Sequence, residues 1–332
     1  MSSNLKIFFF SFLLSLLFSQ ISLLTQEKIT FEKLLNRLKE SNKKRKIAVA
    51  GADNLEILKC VVEVKNMGIA DAILVGNEGK IREKAAGAGI DVGEFRIINE
   101  PDPIKTARTA VKLVSSHEAD MFMKGSVDTA NILRAILDKE IGLRTGRPLS
   151  VTAVFEVEGV HKMLFLTDPA VMPYPTLKDK IKLIENSVEV ANACGIQEPK
   201  VAPIAAIEVV NPKMPCTVDG GELTKMNEEG KIKNCMIDGP LSMDLAIDPS
   251  SAELKGATNR KIVGDADILL FPDIHSANIA YKLLTHVSKS KSGNLLTGTT
   301  APVILTSRAD SSEVKINSVI LAALFADGQK NN

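Results

Sequence analysis

Apolar residues in this chain fall into short runs separated by segments with a helical period. Between Lys46 and Asp138 a run such as Ile47-Ala48-Val49-Ala50 is followed by Gly or Asp, and then by apolar positions recurring every three to four residues. Further runs are Ala72–Val75, Phe95–Ile98 and Met121–Met123, with helical stretches at about 54–66, 78–88, 103–116 and 128–138. This cadence predicts βαβ units and a parallel, doubly wound α/β sheet. Leu149 to Thr167 breaks the rhythm: Val151–Phe155 and Lys162–Leu166, joined through Glu158-Gly159, read as a hairpin. A long helix over Thr176–Ala193 and an apolar run over Val201–Val210 open a second α/β unit, so a domain change falls near Ser150. The last helical segment, Val314–Phe325, carries Val319, Ile320, Leu321, Leu324 and Phe325, and must pack against something.

The richest stretch runs from Asp267 to Arg308. Asp267–Phe271 reads as a strand stopped by Pro272-Asp273, and Ser276-Ala277-Asn278 opens an amphipathic helix. After an expected loop at Ser292-Gly293-Asn294, Thr297-Gly298-Thr299-Thr300-Ala301-Pro302 leads into the strand Val303-Ile304-Leu305. Thr306-Ser307-Arg308 then lies at that strand's carboxyl end, where open α/β sheets bind ligands.

Composition narrows the function. With 332 residues, 45% hydrophobic, the chain can bury a large core and favours two domains. Lys+Arg 41 against Asp+Glu 40 leaves a net charge of +1, and Trp is absent, so neither a basic field nor a stacking platform recommends nucleic acid as a partner. Any anion is bound locally. Cys60, Cys194, Cys216 and Cys235 form no C-x-x-C pair and no metal spacing with the four histidines; they read as reduced thiols of a cytoplasmic protein, Cys60 and Cys194 as inert core residues. The amino terminus disagrees, because Leu5 to Leu24 is almost wholly apolar. An anchor, a cleaved signal and a wrong start site are the three readings of residues 1–28, and the last is preferred, since the globular pattern begins near Ile29.

P-loop, H-E-x-x-H and dinucleotide fingerprints are missing. Met123-Lys124-Gly125-Ser126-Val127-Asp128-Thr129 joins a strand to a helix, so Lys124, Gly125, Ser126 and Thr129 can cradle a phosphate; an ordinary capped βα turn would read the same way. Gly142 to Pro148 places Arg144 and Arg147 at the domain change, either facing a cleft or simply solvated. Thr167-Asp168-Pro169 ends a strand on a carboxylate that suits a turn or an active-site acid equally. Gly239–Asp244 offers Ser242 and Asp244, and His275 follows Pro272-Asp273-Ile274 at the candidate site.

Taken together, Met123–Thr129, Thr167–Thr176, Gly239–Asp244, Phe271–Lys282 and Gly298–Arg308 resemble the phosphate acetyltransferase and phosphate butyryltransferase family, over nearly everything after Ile29. Leu270–Lys282 and Pro302–Ser311 look like the butyryl branch in particular. The resemblance implies two α/β domains in the isocitrate/isopropylmalate dehydrogenase-like arrangement, with an active cleft between them: residues 29–150 plus 298–330, and residues 151–297. The last strand and helix would thus return to the first domain. It implies reversible transfer of a butyryl or other short-chain acyl group from coenzyme A, a co-substrate, to inorganic phosphate, with no bound cofactor and no metal. It further implies a homo-oligomer and functional coupling to a butyrate kinase. An acetyl preference is the near alternative; a non-catalytic coenzyme A binding protein and a dehydrogenase on the related scaffold are the distant ones.

On this reading Ser307 and Arg308 meet the phosphate or the oxyanion, Arg308 through its planar fork. Lys124, Gly125, Ser126, Thr129, Arg144, Asp168, His275, Asn278 and Gly298 are expected around the phosphate and coenzyme A. The acetyl branch has an aspartate six residues beyond the matching arginine. Val314 stands there in this chain, so either Asp310 or Glu313 is expected to supply the base, or the butyryl branch positions it differently.

Overall fold

The computed structural model describes residues 28–307 and 310–329. Residues 1–27, on which the anchor, signal and start-site readings rest, and Arg308 lie outside the described residues.

Each repeat of the first half folds as its pattern requires. α1 (Phe31–Glu40) precedes β1 (Lys46–Ala50), α2 (Leu55–Asn66), β2 (Asp71–Gly76), α3 (Glu78–Gly87), β3 (Arg96–Asn99), α4 (Pro103–Ser115), β4 (Met121–Lys124) and α5 (Thr129–Ile136). The helices after β1 to β4 start on Asn54, Asn77, Asp102 and Asp128, whose side chains accept backbone N–H groups of the first turn. The expected hairpin is present: β5 (Ser150–Val157) and β6 (Met163–Thr167) pair antiparallel, Thr152 opposite Thr167. α6 (Leu177–Ala193) follows, with a capping box between Thr176 and Asp179. Then come β7 (Lys200–Pro203), α7 (Pro215–Glu228), β8 (Met236–Ile237), α8 (Met243–Ile247), α9 (Pro249–Leu254), β9 (Ile268–Leu270), α10 (Ile274–His286), β10 (Ser290–Thr297), β11 (Val303–Ile304) and α11 (Ser312–Gln329).

The sheet is mixed rather than parallel throughout. Its eleven strands run in the order β3-β2-β1-β4-β11-β10-β5-β6-β9-β7-β8. The flanks are parallel, whereas β10 is antiparallel to both β11 and β5, and β5 to β6. The hairpin reverses the chain once and β10 reverses it again, which a strictly βαβ reading cannot register.

Three sequence expectations change. Ser292-Gly293-Asn294 is not a loop but part of β10, paired with Phe155, Val154 and Ala153. Gly293 is there because α11 crosses closely: a Cβ would lie 2.9 Å from the Asn317 carbonyl carbon. The Val201–Val210 run yields a strand only to Pro203, and Val209 and Val210 are exposed. α10 is capped by Asp273, whose carboxylate accepts from Ser276 N at 2.9 Å, so the helix opens earlier than Ser276.

α11 is apolar nearly all round because it lies inside. It packs on β10 and β11 between α1, α2 and α6, in one apolar cluster that covers the same face of the sheet end to end. The opposite face carries two further clusters, one beneath α4 and α5 and one beneath α8, α9 and α10. Among the described residues no helix is long and apolar enough to cross a membrane.

Candidate active site

Strand ends build the site. β4 delivers Lys124, only 5% exposed, into a cleft of about 540 Å³. The next residue must be glycine: a Cβ on Gly125 would sit 2.0 Å from the Gly51 carbonyl oxygen, so β1 and β4 close tightly above their ends. Asp128 then caps α5, accepting Asn131 N at 2.9 Å, and Asp128 and Thr129 form that rim of the cleft.

On the neighbouring strand, β11 leads into Leu305, Thr306 and Ser307 along the cleft wall, and the chain turns back so that Asp310 lines it too. Asp310, 8% exposed, accepts the Ser307 backbone N–H at 2.7 Å, and its own N–H donates to Ser307 O at 3.2 Å. α10 closes the far side with Asn278, Tyr281 and Lys282, and β10 adds Asn294. Asn294 Nδ2 donates to the Tyr281 hydroxyl at 3.1 Å, and the Lys282 ammonium lies 5.1 Å from the Tyr281 ring centroid. Burial first, and then the Asp310 charge, push the Tyr281 hydroxyl up from its ordinary value.

Pro169 and Ala170 complete the lining, and Asp168 holds them from behind. The Thr167–Asp168 peptide is cis. The Asp168 carboxylate accepts from Val151, Ala170, Val171 and Met172 N at 3.0 to 3.2 Å. Burial pushes this carboxyl up to about 6 against the pull of those four donors. Asn278 ties α10 to the same loop by donating to Pro169 O at 2.9 Å.

Lys124, Thr129, Asn278, Ser307 and Asp310 therefore meet in one cleft, as their residue types suggested. Other expected residues sit elsewhere. Ser126 bonds the Asp53 carboxylate and lines an adjacent cleft of about 290 Å³ with Asn77, Lys80 and Glu100. Arg144 is exposed on a loop bridged to Thr299, and its neighbour Arg147 pairs with Glu189. Gly298, at φ +84°, is a turn residue pressed against Pro148, where a Cβ would meet the carbonyl oxygen at 2.3 Å. Asp168 buttresses the lining without belonging to it. His275 stands on the lip, its Nε2 3.0 Å from the Tyr174 hydroxyl, in a groove sharing Pro169, Ala170 and Asn278 with the cleft. Glu313 is exposed in the first turn of α11 and does not line the cleft. Ser242 and Asp244 are engaged with Lys255 away from it.

Sequence reasoning passed over Tyr281, Lys282 and Asn294, and named Thr306 only as the neighbour of Ser307 at the strand end. Tyr281 looked like one more apolar position of a helix, and Asn294 like a loop residue. The buried Asn294 Oδ1 and Thr306 Oγ1 make no hydrogen bond among the described residues. Cys60 and Cys194 are buried as expected, and burial pushes both thiols up to about 12. Among the described residues no group of three or more His, Cys, Asp or Glu side chains converges to hold a metal ion.

A cleft at the carboxyl ends of β4 and β11, with Lys124, Lys282, Ser307 and Asp310 in its lining, stands where α/β enzymes bind their ligands. The family model described as phosphate acetyl/butaryl transferase matches residues 29–106 and 100–323, and the chain belongs to that family. It is 51% identical to the phosphate butyryltransferase of Clostridium acetobutylicum, over 90% of this chain and 98% of that protein. It is 53% identical to the phosphate butyryltransferase of Clostridium beijerinckii, over 90% and 99%. A branched-chain phosphotransacylase from Enterococcus faecalis V583 superposes with a TM-score of 0.77 at 32% identity, covering 85% of this chain and 99% of that one.

Proposed function

We propose that the protein is a phosphate butyryltransferase, moving a butyryl or similar short-chain acyl group reversibly between coenzyme A and inorganic phosphate. One observation carries this above all: identity of 51–53% across about nine-tenths of the chain to two proteins so named, with a cleft that Lys124 and Lys282 line inside the matched region.

A phosphate oxygen attacks the thioester carbonyl, a tetrahedral oxyanion forms, and coenzyme A leaves as thiolate. Two anions have to share a small volume, and the Lys124 and Lys282 ammoniums on opposite walls offset their repulsion. The Ser307 hydroxyl, exposed in the cleft, donates to the oxyanion. Arg308 follows it and is assigned to the phosphate by its chemistry, through paired hydrogen bonds. In the reverse direction the coenzyme A thiol, ordinarily near pKa ~8.5, needs a base. Asp310 lines the cleft whereas Glu313 does not, which favours Asp310.

The reading carries two domains, residues 29–150 with 298–330 and residues 151–297, in the isocitrate/isopropylmalate dehydrogenase-like arrangement. The sheet order supports it, since β3-β2-β1-β4-β11 draws on the first set and β10-β5-β6-β9-β7-β8 almost wholly on the second, without interleaving. Coenzyme A as a dissociable co-substrate, a cytoplasmic location, self-association and coupling to a butyrate kinase complete it. The test is phosphate-dependent release of thiol from butyryl-CoA by the purified protein. No release with either butyryl-CoA or acetyl-CoA overturns the function, and a higher kcat/KM with acetyl-CoA moves it to the acetyl branch.

A further inference from the structure

Lys315 is 2% exposed, although it is charged and sits in the first turn of α11, at the positive end of that helix's dipole. Desolvation and the dipole both oppose an ammonium there, so its position needs compensating partners. They come from Asp310 and from α2. Lys315 Nζ donates to the Asp310 carbonyl oxygen, across the turn from the Asp310 carboxylate. From α2, Glu56 faces the same ammonium and accepts Ser312 N at 3.1 Å, while pairing with Lys59 at 2.9 Å; the Cys60 thiol faces it as well. Tyr281 faces Asp310 from α10.

The Ser307–Asp310 turn is thus held from three sides: by Ser307 N to the carboxylate, by Asp310 N to Ser307 O, and by Lys315 to Asp310 O. Of these three bonds, the last is the one given by a cation. We propose that Lys315 is a positioning residue for acyl transfer, a buried cation that holds Asp310 in place at the cleft and, through the bond between Asp310 and Ser307, holds Ser307 with it. The inference rests on the acyltransferase reading for its catalytic meaning. Burial lowers the Lys315 ammonium from its ordinary value, while Asp310, Cys60 and Glu56 hold it up.

The experiment is a double-mutant cycle of Asp310→Asn and Lys315→Met in the intact chain, followed by kcat, KM and melting temperature. Lys315→Met is expected to lower kcat about tenfold or more with KM for phosphate and coenzyme A nearly unchanged. Because part of its effect runs through the Asp310 carboxylate, it should cost clearly less in the Asp310→Asn background than in the wild type. Lys315→Arg, which keeps a cation able to donate to the Asp310 carbonyl oxygen, is expected to restore kcat towards the wild-type value. Additive losses in kcat, or no rescue by Lys315→Arg in a protein that melts at the wild-type temperature, overturn the inference and leave Lys315 as a structural lysine only. Wild-type inactivity overturns the function instead. In that case coupling of the two substitutions in melting temperature still decides whether the buried pair exists.

Discussion

Ser307 and Asp310 are bound to each other at both ends of one turn: the Ser307 N–H donates to the Asp310 carboxylate at 2.7 Å, and the Asp310 N–H returns to Ser307 O at 3.2 Å. The two residues proposed as oxyanion donor and base are therefore placed as a unit. Asn at position 310 keeps an oxygen for the Ser307 N–H but removes the base. Asp310→Asn should fold normally and lose about 10²- to 10⁴-fold in kcat when coenzyme A is the nucleophile. The deficit should shrink as pH rises through ~8.5, where the thiol ionises unaided. A loss that is the same at every pH would remove Asp310 from the base role.

Arg308 lies between those two residues in sequence, and lysine is its informative replacement. Arg308→Lys preserves charge and discards the planar fork, so paired hydrogen bonding predicts a fall in kcat of about a hundredfold or more, against a small change if charge alone matters. Steady-state rates with saturating phosphate separate the two. Near-wild-type turnover in both Arg308→Lys and Arg308→Ala would end the assignment.

How far the site was legible follows from what fixes each residue. Lys124 and Ser307 could be read because they stand at or just beyond strand ends, marked by an apolar run and the polar residues that stop it, whereas Asp310 entered through the family resemblance as a carboxylate near Val314. Asn278 was legible for the same reason, at a helix start beyond Pro272. Tyr281 and Asn294 were not, because the face of α10 and the register of β10 that bring them together are tertiary facts. Gly293 misled directly: small polar residues around a glycine mimic a turn, while its actual partner is the backbone of α11, twenty-four residues on at Asn317. Gly298 and Asp168 shape the wall from behind, a role that sequence does not separate from contact.

Asp168 gives a pH signature of that supporting role. Burial raises its carboxyl from 3.8 to about 6, so the folded state favours the protonated form. The sign follows: this contribution is complete below pH ~4 and is lost as pH rises through about 6. Relative to Asp168→Asn, the wild type should gain stability on going from pH 7 to pH 4, by at most about 3 kcal/mol at 1.36 kcal/mol per pH unit. Urea unfolding of both proteins across that range measures the difference. A difference independent of pH would show that the carboxylate stays ionised on its four N–H donors.

Leu305 carries the prediction closest to substrate choice. It leaves β11 half-buried, and with Val151, Ala170 and the Tyr281 ring it gives the cleft its apolar surface, beside the hydroxyl of Ser307 where a thioester carbonyl would sit. A butyryl chain exceeds an acetyl group by two methylenes, each contributing about 0.8 kcal/mol when buried, which sets the preference such a wall can generate at roughly tenfold. Leu305→Phe fills that space without touching Lys124, Ser307 or Asp310. Activity with acetyl-CoA should survive, while the ratio of kcat/KM for butyryl-CoA over acetyl-CoA falls by about tenfold. Leu305→Ala should extend tolerance to longer acyl chains. If both variants keep the wild-type ratio across a series of acyl-CoA lengths, the acyl chain does not lie against Leu305, and the apolar groove beside Ile274 and Ile279 becomes the place to look.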